Sequence, residues 1–443
     1  MIRIVAKILG VQLAPGVTRK NMIAAWSVGF ATTMFVVFIP TMQPYLLSAV
    51  LGLPKESQGS VVGLLGTVAE ITMVLSLAWY GALADRHGRR PIVVAGFLIC
   101  ALGAVLFPFA GNASVLVALR VLLALGTAAL GGMFGTIAID YATNSSRGKS
   151  YGVLGVTTGL GGLLAVFALA RLPKLFEAQG LSAADAARAS FLTVAVLLVV
   201  AGLIMRAGLS KARVSDQSRH IPLTQLIATG TRLARDPGVA LAYAAAFVAR
   251  ADLAVVSGFM ALWVNHAAQE AGLSEAAALA RAGMIVGIAH TMALLVSPLL
   301  GWLGDRVKRQ NLVIVAQLVA ALSYLSTLLV SDPLGPAMII VACLVGVGEI
   351  AGINTAGPLL GQQVPAAVRG SAFGLHSLCG ALGIMVVSML GGWLYDVWIP
   401  AAPFVVAGSL GLVVVAFGLV VRNKVVPHPE HEGQEGSANL AKA

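Results

Sequence analysis

Residues 81–91 read GALADRHGRRP, a charged stretch that separates one long apolar segment from the next. A related but degraded stretch, GWLGDRVKRQ at residues 301–310, stands at the same kind of junction 220 positions later. A second landmark returns at nearly the same distance, because RGKSYG at 147–152 reappears as RGSAFG at 369–374. Two independent landmarks at one offset predict a chain built as two related halves.

The composition of the chain is typical of a membrane protein. Of its 443 residues, 58% are apolar and 11% are charged, and the mean hydropathy is +0.91. Spans of about 20 apolar residues cross a bilayer, and lipid leaves their backbone groups no partner outside a helix. We therefore predict twelve transmembrane helices, near residues 22–50, 59–84, 91–111, 113–140, 150–172, 188–209, 238–266, 281–304, 311–331, 335–360, 368–397 and 400–422.

The net charge of +11 does not indicate a nucleic-acid partner, because the basic residues are spread over the connections between spans. With the amino terminus inside, Lys55, Arg171, Lys174, Arg188 and Arg281 are the only ones of the 29 Lys and Arg residues on the outer side. This imbalance follows the positive-inside rule. We expect a multi-pass protein of the inner (plasma) membrane with both termini cytoplasmic. The opening residues read as an amphipathic lead-in rather than a signal peptide.

The pattern G-x-L-A-D-R-x-G-R-R at the first junction resembles the loop between the second and third helices of the major facilitator superfamily. The resemblance implies an all-α polytopic membrane protein with two pseudo-symmetric six-helix bundles and a substrate site near the midplane between them. On this interpretation residues 1–209 form the first bundle, 210–237 a cytoplasmic linker, 238–422 the second bundle, and 423–443 a disordered cytoplasmic tail. Such a chain is expected to be a monomeric transporter of a small molecule and protons across the lipid bilayer. It needs no cofactor or metal and is not an enzyme.

The resemblance assigns gating to the hinge between the apolar segments. A carboxylate at Asp85 is expected to face the helix N-terminus near Ser371, where the helix dipole favours negative charge. The family further implies that Arg89 pairs with Asp140. Glycines would allow close helix approach and a tight reversal. The alternative is that the loop only anchors the chain at the lipid surface. The predicted gating residues are Gly81, Asp85, Arg86, Gly88, Arg89, Arg90, Asp140, Asp305, Arg306 and Arg309.

Ionisable residues inside the spans are the candidates for proton coupling, because charge in a bilayer is costly and usually functional. Glu70 and His290 each precede the aspartate of a hinge copy by 15 residues, so they occupy equivalent places roughly 22 Å from the hinge. They are either a titrating pair or two residues bonded locally. Arg120 lies in a segment similar to the family's fourth-helix pattern, whose arginine is associated with proton coupling. The full set is Glu70, Arg120, Asp252, Glu349 and His290.

The predicted substrate-binding residues overlap that set. Arg250 and Asp252 lie near the middle of the seventh span, which lines the central cavity in the fold that the resemblance implies. Because they are two residues apart they point to different faces of the helix. Arg250 is a candidate to bind an anion or to pair with Glu349. The predicted binding residues are Arg250, Asp252, Glu349 and Arg120.

The first span contains IPTMQPYL at 39–46, which resembles the opening helix of drug/proton antiporters. The fifth span has the glycines of their signature without its proline, which leaves the direction of transport open. We predict a proton-coupled secondary active transporter that exports a small amphipathic organic molecule by alternating access. One alternative is proton-coupled uptake of an organic anion. Another, of a different class, is a membrane sensor or assembly partner that transports nothing.

Overall fold

The computed structural model describes residues 7–143, 146–211, 223–304, 306–365 and 368–426, without the side chains of residues 78, 85, 223, 224 and 251–254. Twelve helical segments in this part of the chain are long and apolar enough to cross a membrane. They are Arg19–Val50, Lys55–Ala84, Arg89–Phe109, Ala113–Asp140, Arg147–Ala178, Ala183–Gly208, Pro237–Glu270, Glu275–Gly304, Arg309–Leu329, Pro336–Gln363, Arg369–Val397 and Ala402–Lys424. The prediction of an all-α protein with twelve spans is confirmed. The tail that we predicted to be disordered lies, from residue 427 onward, outside the described residues.

The described secondary structure contains fifteen α-helices, one short hairpin and several short 3₁₀- and π-helical segments. The strands are β1 (Lys7–Ile8) and β2 (Val11–Gln12). The helices are α1 (Arg19–Tyr45), α2 (Lys55–His87), α3 (Arg89–Leu106), α4 (Ala113–Asp140), α5 (Arg147–Phe167), α6 (Leu172–Ala178), α7 (Ala183–Gly208), α8 (Leu223–Leu233), α9 (Pro237–Ala254), α10 (Ala261–Glu270), α11 (Glu275–Gly304), α12 (Arg309–Leu325), α13 (Pro336–Gln363), α14 (Arg369–Val397) and α15 (Ala402–Val421). A π-helical segment, Val255–Met260, joins α9 to α10, so these three form a single span.

The chain divides into two compact units. The first contains Met1–His220 and Ser257–His290, and the second contains Ile221–Val256 and Thr291–Ala443. Residues 257–290 belong to the second half by sequence repeat, yet they pack within the first unit. The bundle, linker and tail boundaries drawn from the sequence stay a prediction.

The sequence repeat is also visible in helix packing, where one glycine in each unit allows two helices to approach closely. In the first unit α1 packs along α5, and a Cβ at Gly161 would overlap the carbonyl oxygen of Phe30. In the second unit α9 packs along α14, and a Cβ at Gly383 would overlap the carbonyl oxygen of Phe247. Gly383 follows Gly161 by 222 positions, the offset of the RGKSYG landmark. Both helix pairs therefore meet backbone to backbone at equivalent glycines, as small residues permit in membranes.

We expect Gly161→Val and Gly383→Val to prevent stable folding. The obstacle in each case is a backbone carbonyl that cannot rotate away, so the cost should exceed the approximately 1–3 kcal/mol of ordinary overpacking. Gly155→Val is the matched control, because a Cβ at Gly155 has no neighbour within 4 Å. Gel-filtration recovery of detergent-solubilised protein after a heating series measures the effect. Control-like recovery of both variants would contradict this packing.

The described residues from Lys7 onward form a β-hairpin in the segment that we predicted to be an amphipathic lead-in. β1 and β2 form an antiparallel hairpin whose turn places Leu9 and Gly10 at positive φ. Leu13 then forms an antiparallel bridge with Ala142, directly after α4. The neighbouring Tyr141 hydroxyl accepts a hydrogen bond from the backbone N–H that follows α7 (2.9 Å), and burial raises the pKa of this phenol. The segment thus packs against the loop between α4 and α5.

The predicted linker contains α8, while residues 212–222 lie outside the described part. This helix packs on α14 rather than standing alone. A Cβ at Gly230 would lie 2.7 Å from the Leu375 side chain, and Leu226 lies against Gly374. The helix is therefore fixed to the second unit.

Candidate functional site

The first hinge copy reverses the chain between α2 and α3. Gly88 separates the two helices with a φ of 86°, a backbone conformation that favours glycine. Arg89 opens α3, and its guanidinium forms an ion pair with the carboxylate of Asp140, the last residue of α4. The structure thus brings together the two residues that the resemblance paired. Asp85 lies in α2 with its side chain outside the described part, so its place opposite Ser371 stays a prediction.

The second hinge copy uses its basic residues differently. Arg309 opens α12 at the position equivalent to Arg89 and donates a hydrogen bond from Nη1 to the carbonyl oxygen of Pro358 in α13 (2.9 Å). The Arg306 guanidinium lies over the indole ring of Trp302, 4.0 Å from its centroid. Asp305 lies outside the described residues. Arg309 therefore binds a neutral carbonyl in the second unit, whereas the equivalent Arg89 binds a carboxylate in the first unit.

The remaining predicted gating residues occupy the same reversal. Gly81 lies in α2, where a Cβ would meet nothing within 4 Å. Arg86 is exposed in the last turn of that helix, and Arg90 is half-buried in the first turn of α3. The gating role of all ten residues stays a prediction.

Neutralising the hinge charges should cripple transport. Asp140→Asn leaves Arg89 without its charged partner at a largely buried position, and breaking a fully buried pair costs about 3–5 kcal/mol. We expect the exchanged pair, Arg89→Asp with Asp140→Arg, to recover part of the flux. Lys149→Gln, an exposed basic position nearby, is the control.

Asp85→Asn should lose flux while the protein stays folded. Wild-type flux at normal expression in Asp140→Asn and Asp85→Asn would refute the gating role.

A buried carboxylate and a half-buried arginine interact in the first unit. Glu70 in α2 is 7% exposed, and its carboxylate interacts electrostatically with the guanidinium of Arg120 in α4. Nε of Arg120 also donates a hydrogen bond to the carbonyl oxygen of Leu65 (3.3 Å). Because an unpaired charge at this depth would be costly, each residue compensates the charge of the other.

His290 lies in the same unit, on α11. Its Nε2 lies 3.1 Å from the hydroxyl of Ser257, in the π-helical segment between α9 and α10. Backbone irregularities of this type are frequent at functional sites. Its role as a titrating counterpart of Glu70 stays a prediction.

The predicted residues of the second unit include a half-buried arginine and a buried carboxylate. Arg250 in α9 lies across Gly380 of α14, and its guanidinium interacts electrostatically with the imidazole of His376, which also lies on α14. Glu349 lies in α13 and is 3% exposed. Asp252 is in α9, with its side chain outside the described part. His376 was absent from the predicted site residues. Its proximity to Arg250 depends on how α9 and α14 are oriented about their axes, which the sequence does not specify.

A polar cluster lies at the opposite end of α2 from the hinge. We call it the far-end cluster and define it as Ser48, Lys55, Gln58, Asn265, His266, Gln269 and Glu270. At its centre Gln58 Oε1 accepts a hydrogen bond from Nε2 of His266 (2.9 Å), and Gln58 Nε2 donates to the Ser48 hydroxyl (3.2 Å). Gln58 and His266 are both buried, so these bonds are shielded from water.

The rim of the far-end cluster adds weaker contacts. Lys55 Nζ lies 3.3 Å from the Glu270 carboxylate, an exposed pair worth about 0–1 kcal/mol. Gln269 Nε2 donates to Asn265 Oδ1 (2.9 Å) and, at 3.5 Å, to the Ser48 hydroxyl. The cluster thus connects α10 to the carboxyl end of the first span, Arg19–Val50, and to the start of α2. Sequence analysis missed it because its members come from segments over 200 residues apart.

Metal chemistry has no visible support in the described part of the chain. No group of three or more His, Cys, Asp or Glu side chains there could hold a metal ion. Buried or half-buried charges lie within the spans of each unit, and the first unit also contains the far-end cluster and the first hinge copy. These features define a polytopic membrane protein of the secondary-transporter class.

Comparison with known proteins identifies the family. The model of the Major Facilitator Superfamily matches residues 22–355 and 242–442, so the chain belongs to that superfamily. Members of this superfamily are transporters and not enzymes. The magnetosome protein MamH of Paramagnetospirillum magneticum is 28% identical over 395 residues, covering 87% of this chain and 89% of that protein. The match with the magnetosome protein MamZ of the same organism covers 59% of that longer protein.

The chain is also similar in sequence to an efflux pump and similar in fold to transporters of known structure. The multi-drug resistance efflux pump PmrA of Streptococcus pneumoniae is 24% identical over 375 residues, covering 84% of this chain and 88% of the pump. The nucleoside transporter NupG superposes with a TM-score of 0.74 at 13% identity, covering 90% of this chain and 99% of its own. The D-xylose–proton symporter gives a TM-score of 0.65 at 17% identity, covering 90% and 96%. At these identities the structures establish the fold alone.

Proposed function

We propose that this chain is a proton-coupled exporter of small amphipathic organic molecules. The observation that carries the proposal is the presence of Glu70 and Glu349 inside the spans, 7% and 3% exposed. Carboxylates at such positions are costly in lipid, and in transporters they bind and release the coupling proton. The name of one relative, the multi-drug resistance efflux pump PmrA, supports outward transport, and that of another, the multidrug resistance protein MdtG of Escherichia coli, supports drug-like substrates.

Alternating access requires that each end of the substrate path can be closed in turn. We infer that the far-end cluster closes one end and that the hinge, with its Arg89–Asp140 pair, controls the other. The two lie at opposite ends of α2, which spans Lys55–His87. The bonds of the far-end cluster would have to break each time that end opens. The positive-inside pattern supports an inner-membrane location with the hinge and both termini in the cytoplasm. We further propose that the chain works as a monomer.

Everted membrane vesicles test the direction of transport. With the vesicle interior acidified, we expect a fluorescent amphipathic dye to accumulate inside vesicles that contain the protein and not in those that lack it. Export into an acidic compartment corresponds to exchange of the molecule for protons. Accumulation only in right-side-out vesicles would instead support uptake. Flux in neither preparation, across cationic, neutral and anionic dyes, would support a sensor or assembly role.

A further inference from the structure

Arg250 is held in place by a glycine of the neighbouring helix. Its side-chain methylenes lie where a Cβ at Gly380 would be, so the missing side chain of Gly380 leaves the room that Arg250 occupies. One turn further along α14, Gly383 meets the backbone of α9, which brings the two helices into close contact. Arg250 is half-buried and fixed against α14 by this packing.

His376 adds a second donor next to Arg250. It precedes Gly380 by four residues and therefore lies on the same face of α14. Its imidazole is half-buried, is electrostatically coupled to Arg250 and lies 6.0 Å from the ring of Phe373, measured between centroids. Among the described residues, Nε2 of His376 is buried without a hydrogen-bond partner.

The guanidinium of Arg250 and the imidazole of His376 interact with each other, and Nε2 of His376 has no hydrogen-bond partner among the described residues. An imidazole nitrogen and a guanidinium are complementary to a carboxylate or phosphate, which accepts several hydrogen bonds and neutralises positive charge. We propose that Arg250, His376 and Gly380 form an anion subsite, in which Arg250 and His376 bind a carboxylate or phosphate group of the transported molecule and Gly380 positions Arg250. This subsite rests on the proposed transport function and adds that the amphipathic substrate carries an anionic group.

Equilibrium binding to the purified full chain tests the subsite. We would compare three probes of similar shape, namely 1-naphthoate, 1-naphthyl phosphate and the neutral 1-naphthamide. The wild type should bind at least one of the anions about 10- to 100-fold more tightly than the amide, the range expected for charge-assisted hydrogen bonds. The tighter of the two anions identifies the preferred group. Arg250→Gln should remove the preference and leave the binding of naphthamide unchanged.

Two further variants separate a binding role from a structural one. Gly380→Ala keeps every charge but displaces Arg250, so anion affinity should fall while amide affinity persists. His376→Gln should weaken anion binding less than Arg250→Gln, because one of the two donors remains. Cys379→Ser, a half-buried neighbour on the same helix, is the control and should bind like the wild type. Arg250→Lys keeps the positive charge and provides a folded substitute if Arg250→Gln is not recovered.

The outcomes distinguish the subsite from the proposed function. Equal affinity for anion and amide, or no saturable anion binding by the wild type, would overturn the subsite. An anion preference that survives Arg250→Gln or Gly380→Ala would also overturn it. If a pH gradient drives transport of both naphthoate and naphthamide and the protein binds the two with equal affinity, proton-coupled transport stands and the subsite falls. If naphthoate binds through Arg250 but its flux ignores the gradient, the subsite stands and proton coupling falls.

Discussion

Gln58→Cys with His266→Cys, joined by a bridging thiol reagent, should stop transport completely. The wild-type side chains at these positions are hydrogen-bonded at 2.9 Å in the far-end cluster, so a short reagent can span them. A covalent bridge would hold α10 against α2 and prevent that end of the path from opening. Flux of an amphipathic dye, measured before and after the bridge is reduced, tests this. Reduction should restore transport.

The matched control places the same chemistry within one helix. Asn265→Cys with Gln269→Cys introduces two thiols four residues apart in α10, and their bridge leaves α2 free to move. Both versions need a background in which Cys100, Cys343 and Cys379 are replaced. Transport that continues in the bridged 58–266 protein would show that the far-end cluster does not open during the cycle.

Neutralising the carboxylates that the sequence places within the spans should abolish the response of transport to a pH gradient in at least one of three variants. Glu70→Gln, Asp252→Asn and Glu349→Gln each remove one group that could bind the proton within a span. Glu70→Gln should also reduce stability, because Arg120 would lose the carboxylate that compensates its charge. Gradient-driven flux in proteoliposomes, divided by flux without a gradient, measures the effect.

A double variant separates coupling from folding at Glu70. Glu70→Gln with Arg120→Gln removes both charges, so stability should recover relative to Glu70→Gln alone, whereas a loss of the pH response caused by Glu70→Gln should persist. Asp396→Asn, near the carboxyl end of α14, is a carboxylate control outside the predicted site. Full acceleration by the gradient in all three single variants would favour facilitated diffusion or redundant proton carriers.

The number and placement of the spans could be predicted from sequence because lipid imposes length and composition directly. The repeat was also visible, and the offset of 222 positions that links RGKSYG to RGSAFG applies equally to Gly161 and Gly383. The equivalence of those two contact glycines could therefore have been predicted from the sequence. The Arg89–Asp140 pair was expected from the resemblance alone.

Contacts between distant segments were out of reach. The bond between Gln58 and His266 joins residues 208 positions apart, and polar residues at span ends look like ordinary interfacial residues. The proximity of Arg250 and His376 depends on the rotation of α9 and α14 about their axes, which their continuous apolar composition does not specify. The amino-terminal hairpin escaped prediction because each strand has two residues, too few for an alternating pattern.

Proton movement during transport is the most direct test of the account. Purified wild-type protein would be placed in proteoliposomes with a trapped pH indicator and no initial gradient, and an outwardly directed gradient of an amphipathic dye would then be imposed. Proton-coupled exchange predicts that dye efflux acidifies the interior, that Glu70→Gln or Glu349→Gln reduces this change, and that an imposed pH gradient in turn drives the dye. Dye efflux at full rate with no change in internal pH would contradict the proposed coupling.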